Sequence, residues 1–228
     1  MTVELASADA QPINVHARLD AYCAANTFDQ PTLVLDVDLV EQQYHALKEG
    51  LGYADIHYAV KANPAEEIIA RLVKLGSHFD AASKAEVALC LKHGADPAHV
   101  SFGNTVKRSS DIAWAHAQGI TLFSADAEQE LEKIAISAPG AQVYIRLIVE
   151  ISQADWPLSR KFGCDSATAI RLLSYAKSLG LDPIGFSFHV GSQTRKAAMW
   201  GPSLDALAEI WHAAKAAGHE LTLLNIGG

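Results

Sequence analysis

Ile56-His57-Tyr58-Ala59-Val60-Lys61-Ala62-Asn63-Pro64 is the stretch on which the fold turns. Its aromatic and β-branched residues predict a strand over 56–61, and the Asn-Pro pair ends it. Alternation then places Ala59 and Lys61 on one face and Tyr58 and Val60 on the other. A lysine on the last rung, behind a small alanine, either snorkels to water or holds its amine at the mouth of a pocket, ready to condense with a carbonyl.

The same punctuation recurs downstream. Strands are predicted over 78–82, 100–103, 120–123, 142–149, 185–190 and 221–226. Helices are predicted between them, over 65–75, 84–93, 109–117, 127–136, 167–179 and 202–217, several closed by glycine. Ser83 and Glu86 form a capping box ahead of the second of these. Seven strands separated by six helices predict a parallel sheet joined by right-handed crossovers. Doubly wound sheets and (β/α)8 barrels both satisfy the alternation, but no Gly-x-Gly-x-x-Gly follows the first strand. The expectation is an α/β (β/α)8 TIM-barrel domain cut short after its seventh strand, over 37–228. An N-terminal extension over 1–36, with a helix over 15–25 and a strand over 32–36, precedes it, and Asp38 is a candidate cap for the following helix.

Half of the 228 residues are hydrophobic, enough for a sizeable core. The net charge of −8 and the lack of basic runs argue against nucleic acid as a partner. No apolar run is long enough to span a bilayer and no signal peptide is read at the N-terminus, so a cytoplasmic protein is expected. Three scattered cysteines suggest reduced thiols rather than a disulfide or zinc framework. No metal is expected: His57, His78, His189 and Asp80 do not make a ligand motif.

In a barrel the C-terminal strand ends form the active face. His78 and Asp80 belong to the second strand, Asn104 follows the third, and Ser124 and Asp126 the fourth. Arg146 lies on the fifth, His189 on the sixth, and Gly227-Gly228 follows the seventh. Each taken alone has an ordinary reading: His189 as a core histidine, Asp80 and Arg146 as a structural ion pair. Together with Lys61 they outline a charged, concave site. Gly185 and Ser187 leave space beneath His189, whose ring is free to stack on a flat ligand; Ser192 and the glycine pair suit a phosphate. The other histidines, at 45, 93, 99, 116, 212 and 219, are expected at the surface.

Seven segments in order, "HYAVKANP" (57–64), "HFDAASKAEV" (78–87), "FGNTVKR" (102–108), "YIRLIVE" (144–150), "ADWPLSRKFG" (154–163), "FHVGSQ" (188–193) and "LLNIGG" (223–228), resemble the pyridoxal-phosphate-dependent decarboxylases of basic amino acids. This is the ornithine/lysine decarboxylase family, on the fold shared with alanine racemase. The resemblance implies pyridoxal 5'-phosphate as cofactor and L-ornithine as substrate, giving putrescine, with L-lysine to cadaverine close behind. It implies that Lys61 holds the cofactor through its amine, that His189 stacks on the pyridine, and that Ser192, Gly227 and Gly228 receive the phosphate. Asp80 and Arg146 resemble a hydrogen-bonded pair behind the lysine, and Glu86 a glutamate near the same site. Relatives continue into a C-terminal β-domain and act as homodimers, so the chain is expected to be the first part of a longer enzyme and inactive by itself. An amino-acid racemase on the same barrel, or a non-catalytic cofactor-binding relative, remains the alternative.

Overall fold

The computed structural model describes residues 15–148, 162–191 and 196–227. Two compact units are distinguished, 1–54 and 55–228. The first contains α1 (Val15–Ala25) and α2 (Val37–Gly50). Asp36 caps α2, its carboxylate accepting from the Asp38 N–H at 3.1 Å, so the cap lies two residues ahead of the Asp38 expected from sequence. Residues 32–36, expected as a strand, form none in this structure. Their β-branched composition favours extended backbone, but a strand exists only where a neighbour completes its hydrogen bonds.

The second unit is a seven-stranded sheet in the order β1-β2-β3-β4-β5-β6-β7, every pairing parallel. The strands are β1 (His57–Ala59), β2 (His78–Ala81), β3 (Val100–Phe102), β4 (Leu122–Ala125), β5 (Gln142–Arg146), β6 (Asp182–Ser187) and β7 (Leu223–Asn225). Helices α3 (Glu66–Lys74), α4 (Lys84–Lys92), α5 (Ser109–Ala117), α6 (Glu128–Ser137), α7 (Ser166–Ser178) and α8 (Gly201–Ala216) connect them in turn. Strand order equal to chain order, with one helix per crossover, is the (β/α)-barrel pattern rather than a doubly wound one.

The helix α3 shows why these segments fold as they do. Asn63 Oδ1 accepts from the Ala65 N–H at 3.0 Å just ahead of it. Glu66 and Glu67 occupy the first turn and Arg71 and Lys74 the last, both matching the helix dipole. Ile68, Ile69 and Leu72 are buried, and each contributes about 1.5–3 kcal/mol by leaving water. Gly76, at φ +75, turns the chain out of the helix.

Residues opposed in a parallel ladder share a sheet face, as do residues two apart on a strand. The register opposes Asp80 to Ser101, Ser124 to Tyr144, Tyr144 to Gly185, and Arg146 to Ser187. One face therefore carries His78, Asp80, Ser101, Ser124, Tyr144, Arg146, Gly185 and Ser187, with Leu122 and Leu223 among them. The other carries Phe79, Phe102, Phe123, Val143, Ile145 and Phe186, all buried. Stability is concentrated on the apolar face and the chemistry on the polar one.

Candidate functional site

β1 ends at Ala59, two residues earlier than expected, and Lys61 sits in a 3-10 turn over Val60–Ala62 rather than on a strand rung. The Tyr58 hydroxyl donates to the Asn63 carbonyl at 3.0 Å and ties this turn back to β1. Val60 is completely buried while Lys61 is exposed, so the turn anchors on one side chain and releases the next. Strand alternation does not govern the lysine; the turn does.

Asp80 lies on the polar face of β2. It retains some solvent contact as a residue, but burial pushes its carboxyl up from the ordinary range. The Ser101 hydroxyl, at 2.9 Å, and the charges of Lys61 and Arg146 pull the other way. His189 follows β6, where the Phe188 N–H still bonds to the Asn225 carbonyl at 3.1 Å and extends the ladder. Burial lowers the imidazole's proton affinity first, then the positive charges of Arg146 and Lys61. Of the four residues expected together from sequence, Lys61 and Arg146 thus act electrostatically on both Asp80 and His189.

The expected Asp80–Arg146 ion pair is absent among the described residues: no carboxylate oxygen lies within the 4.0 Å of a salt bridge. Asp80 is turned toward Ser101, and the Arg146 guanidinium lies 5.8 Å from the centre of the Phe162 ring. Glu86 is a capping residue, its carboxylate accepting from the Ala82 N–H at 2.7 Å while Ser83 accepts from the Glu86 N–H at 3.3 Å. His78 begins β2 and so belongs to the opposite, N-terminal rim, beside His57 and stacked on His99 at 4.0 Å. The rim placement separates these imidazoles from His189 and Asp80, and no three such groups among the described residues are placed to hold a metal ion. His219, expected at the surface, is buried with a ring nitrogen 3.0 Å from Ser174 Oγ.

Gly227 has φ +72, and a Cβ there would fall 2.6 Å from the Phe188 carbonyl oxygen and 3.1 Å from His189 Nδ1. Only glycine lets the backbone pass so close to the imidazole. Its N–H donates to Asn225 Oδ1 at 2.9 Å. Gly185 has a different role from the one expected. A Cβ there would overlap the Leu223 backbone, 2.7 Å from its carbonyl carbon, so this glycine permits the β6–β7 approach. Ser192 and Gly228 lie outside the described residues.

One group at the same end of the sheet was not anticipated. Lys107, which lies in the "FGNTVKR" segment, has a fully buried side chain. Its ammonium donates to the carbonyls of Asn104 (2.7 Å) and Ser124 (2.6 Å) and pairs with Glu130 Oε1 at 3.0 Å. Burial pushes it down to about 8 despite Glu130. It clamps the loop after β3 to the end of β4.

An amine and a guanidinium thus act on one imidazole, none of the three with a protein hydrogen-bond partner among the described residues, and the Gly227 backbone passes beside the imidazole. That donor set fits an aldehyde-bearing, anionic, flat cofactor: the amine suits the carbonyl, the imidazole face the ring, and the positive charge the anion. The family described as "Pyridoxal-dependent decarboxylase, pyridoxal binding domain" matches residues 37–228. The chain is 36% identical over 199 residues to Decarboxylase flvG of Aspergillus flavus, an alignment covering 87% of this chain and 47% of that protein. It is 36% identical over 204 residues to the lysine/ornithine decarboxylase of Selenomonas ruminantium, covering 90% and 52%. A crystal structure of an SrLDC mutant in complex with PLP superposes with a TM-score of 0.87 at 34% identity, covering 93% of this chain and 55% of that one. The chain spans about half the length of the curated relatives it matches. With the match over 37–228 and the barrel pattern in agreement, the chain belongs to the pyridoxal-dependent decarboxylases, through their pyridoxal-binding domain, and its cofactor is pyridoxal phosphate.

Proposed function

We propose that the chain forms the cofactor-binding part of an enzyme that decarboxylates a basic L-amino acid, with L-ornithine first and L-lysine second. The observation that carries this reading is the grouping of Lys61, Arg146 and His189 at one end of the sheet, where the positive charges of Lys61 and Arg146 act on both Asp80 and His189. Pyridoxal phosphate supplies the electron sink for loss of a carboxylate. Lys61 would hold it through its amine, and His189, kept neutral by burial and nearby cations, would offer its ring face. Ser192, Gly227 and Gly228 would receive the phosphate, and Asp80 and Arg146 would set the charge around the ring. A homodimer in a cytoplasmic setting belongs to the same reading by family resemblance.

Borohydride reduction of the protein with pyridoxal phosphate, followed by peptide mapping, tests the assignment. Label confined to Lys61 and lost in Lys61→Ala is the expected result; label elsewhere, or unchanged in the variant, overturns it. Substrate choice is read separately, from the diamine formed when the longer protein meets ornithine and lysine together. Putrescine in excess is expected, and no diamine at all would refute the activity.

A further inference from the structure

Asp80 has two cations to answer, yet its carboxyl is bonded to a serine. The space it occupies is provided by a glycine just past the end of the next strand. A Cβ on Gly103 would overlap one carboxyl oxygen and stand 2.6 Å from Cγ and 2.9 Å from Oδ2. Gly103 N–H donates to the Ala81 carbonyl at 2.9 Å, continuing the β2–β3 ladder, so its backbone is not free to retreat. Ser101, two residues back on the same face and opposite Asp80 in register, closes the floor. Its hydroxyl lies 2.9 Å from Asp80 Oδ1 and 3.4 Å from the Phe79 carbonyl. Glu86 and the buried Tyr144 also face this carboxyl, the first raising its proton affinity and the second pushed up partly by it.

We propose that Gly103 and Ser101 are positioning residues that form a slot holding the Asp80 carboxyl out of contact with Lys61 and Arg146, so that both cations stay unpaired for an anionic ligand, and that filling the slot drives Asp80 toward them. The slot makes Asp80 a two-position group. In the slot it is half-desolvated and bonded to a hydroxyl; out of it, the charged groups that act on it are the Lys61 ammonium and the Arg146 guanidinium. The part concerning the ligand rests on the cofactor reading above, whereas the slot itself does not.

The two substitutions that disturb the slot act in opposite directions. Ser101→Ala leaves the carboxyl in place and removes a hydrogen bond to its charged form, which raises its proton affinity. Gly103→Ala expels the carboxyl toward Lys61 and Arg146, which lowers its midpoint by about one pH unit or more. The measurement is the 13C titration of the Asp80 carboxyl in aspartate-labelled protein, assigned with Asp80→Asn and made without cofactor. A rise in the serine variant and a fall in the glycine variant support the slot, since a purely structural disturbance has no reason to move the midpoint in opposite senses. Identical midpoints in all three proteins overturn it. Should Gly103→Ala not fold, Ser101→Ala decides alone: a raised midpoint supports the slot and an unchanged one overturns it. Pyridoxal phosphate labelling of Lys61 is then compared in the same proteins. Opposite titration shifts with no labelling in any of them would leave the slot standing and remove the cofactor reading instead.

Discussion

Lys107 offers the sharpest test of how the C-terminal end of the sheet is held. Its side chain is fully buried, and its three ammonium protons match three acceptors: the carbonyls of Asn104 and Ser124 and Glu130 Oε1. Glu130 is itself buried, accepts the Lys107 N–H at 3.2 Å, and pairs with Lys133 on the other oxygen. Burial holds Lys107 at about 8 in the folded chain, against about 10.4 when unfolded. Between those values the unfolded chain binds more protons, so stability rises with pH, and it levels off above the unfolded value. A gap of roughly two units is worth about 3 kcal/mol. Lys107→Met keeps the side-chain length and loses the titration. At neutral pH it should be less stable by about 3–5 kcal/mol, because Glu130 loses one partner and two carbonyls lose their donor. Urea unfolding followed by circular dichroism at stepped pH measures both. The wild-type advantage over the variant should widen by about 3 kcal/mol from pH 8 to about pH 10.4. Other lysines and tyrosines titrate in both proteins and cancel. A difference that stays flat with pH would refute the reasoning, for it would mean that Lys107 meets the same environment folded and unfolded.

Two other groups make simpler predictions. Burial pushes Cys90 and Cys164 up to about 12, while Cys23 is exposed; a thiol reagent at mildly alkaline pH should therefore find one fast thiol in the native protein and three after denaturation. Two fast thiols would mean that one of the buried sites opens. His57 Nε2 and His78 Nδ1 lie 3.2 Å apart, a contact that needs one bare nitrogen, and burial lowers the proton affinity of His57. With the folded pKa depressed below about 6.5, the unfolded chain takes up the proton first, and stability falls as pH drops through that window. Acid unfolding should therefore be less steep in His57→Gln, and an unaltered profile would clear the pair of any role.

The alternation of strands and helices was legible because each strand is a short apolar run ended by glycine, proline or a capping residue, and those signals are local. Lys61 and His189 are candidates in the sequence as the last rungs of strands over 56–61 and 185–190, whereas in the structure each lies two residues past a strand end. What misled was treating each strand by itself. Gly185 was read as room for His189, yet the atom it makes way for belongs to Leu223, nearly forty positions later. The sequence sets Asp80 against Arg146, although the residues that hold it, Ser101 and Gly103, lie on and just past the neighbouring strand. Lys107 carried no signal, because burial of a lysine beyond a strand end depends on Glu130, which an adjacent helix brings to it. Residues 32–36 had the composition of a strand, but composition does not supply a pairing partner.

The separation of apolar and polar faces depends on one irregularity. β5 and β6 pair Gln142 with Asp182 and Val143 with Pro183, then Tyr144 with Gly185, so Ile184 is an extra residue on β6. Proline has no N–H to give a ladder and is tolerated at such a point. The carbonyl of Ile184 is taken up by the Thr222 N–H at 2.8 Å at the approach to β7. Because side chains alternate, one extra residue exchanges the two faces of everything beyond it. Without the shift, Tyr144 would oppose Ile184 and Arg146 would oppose Phe186. The polar interior would then receive Ile184, Phe186 and Phe188, while Ser187 and His189 would turn toward the helices. With it, Ser187 stands opposite Arg146, Phe186 meets Trp211 of α8 at 6.4 Å between ring centres, and His189 comes within the field of Lys61 and Arg146. The bulge is thus what lets β6 begin in one register, serving the core, and end in another, serving the site.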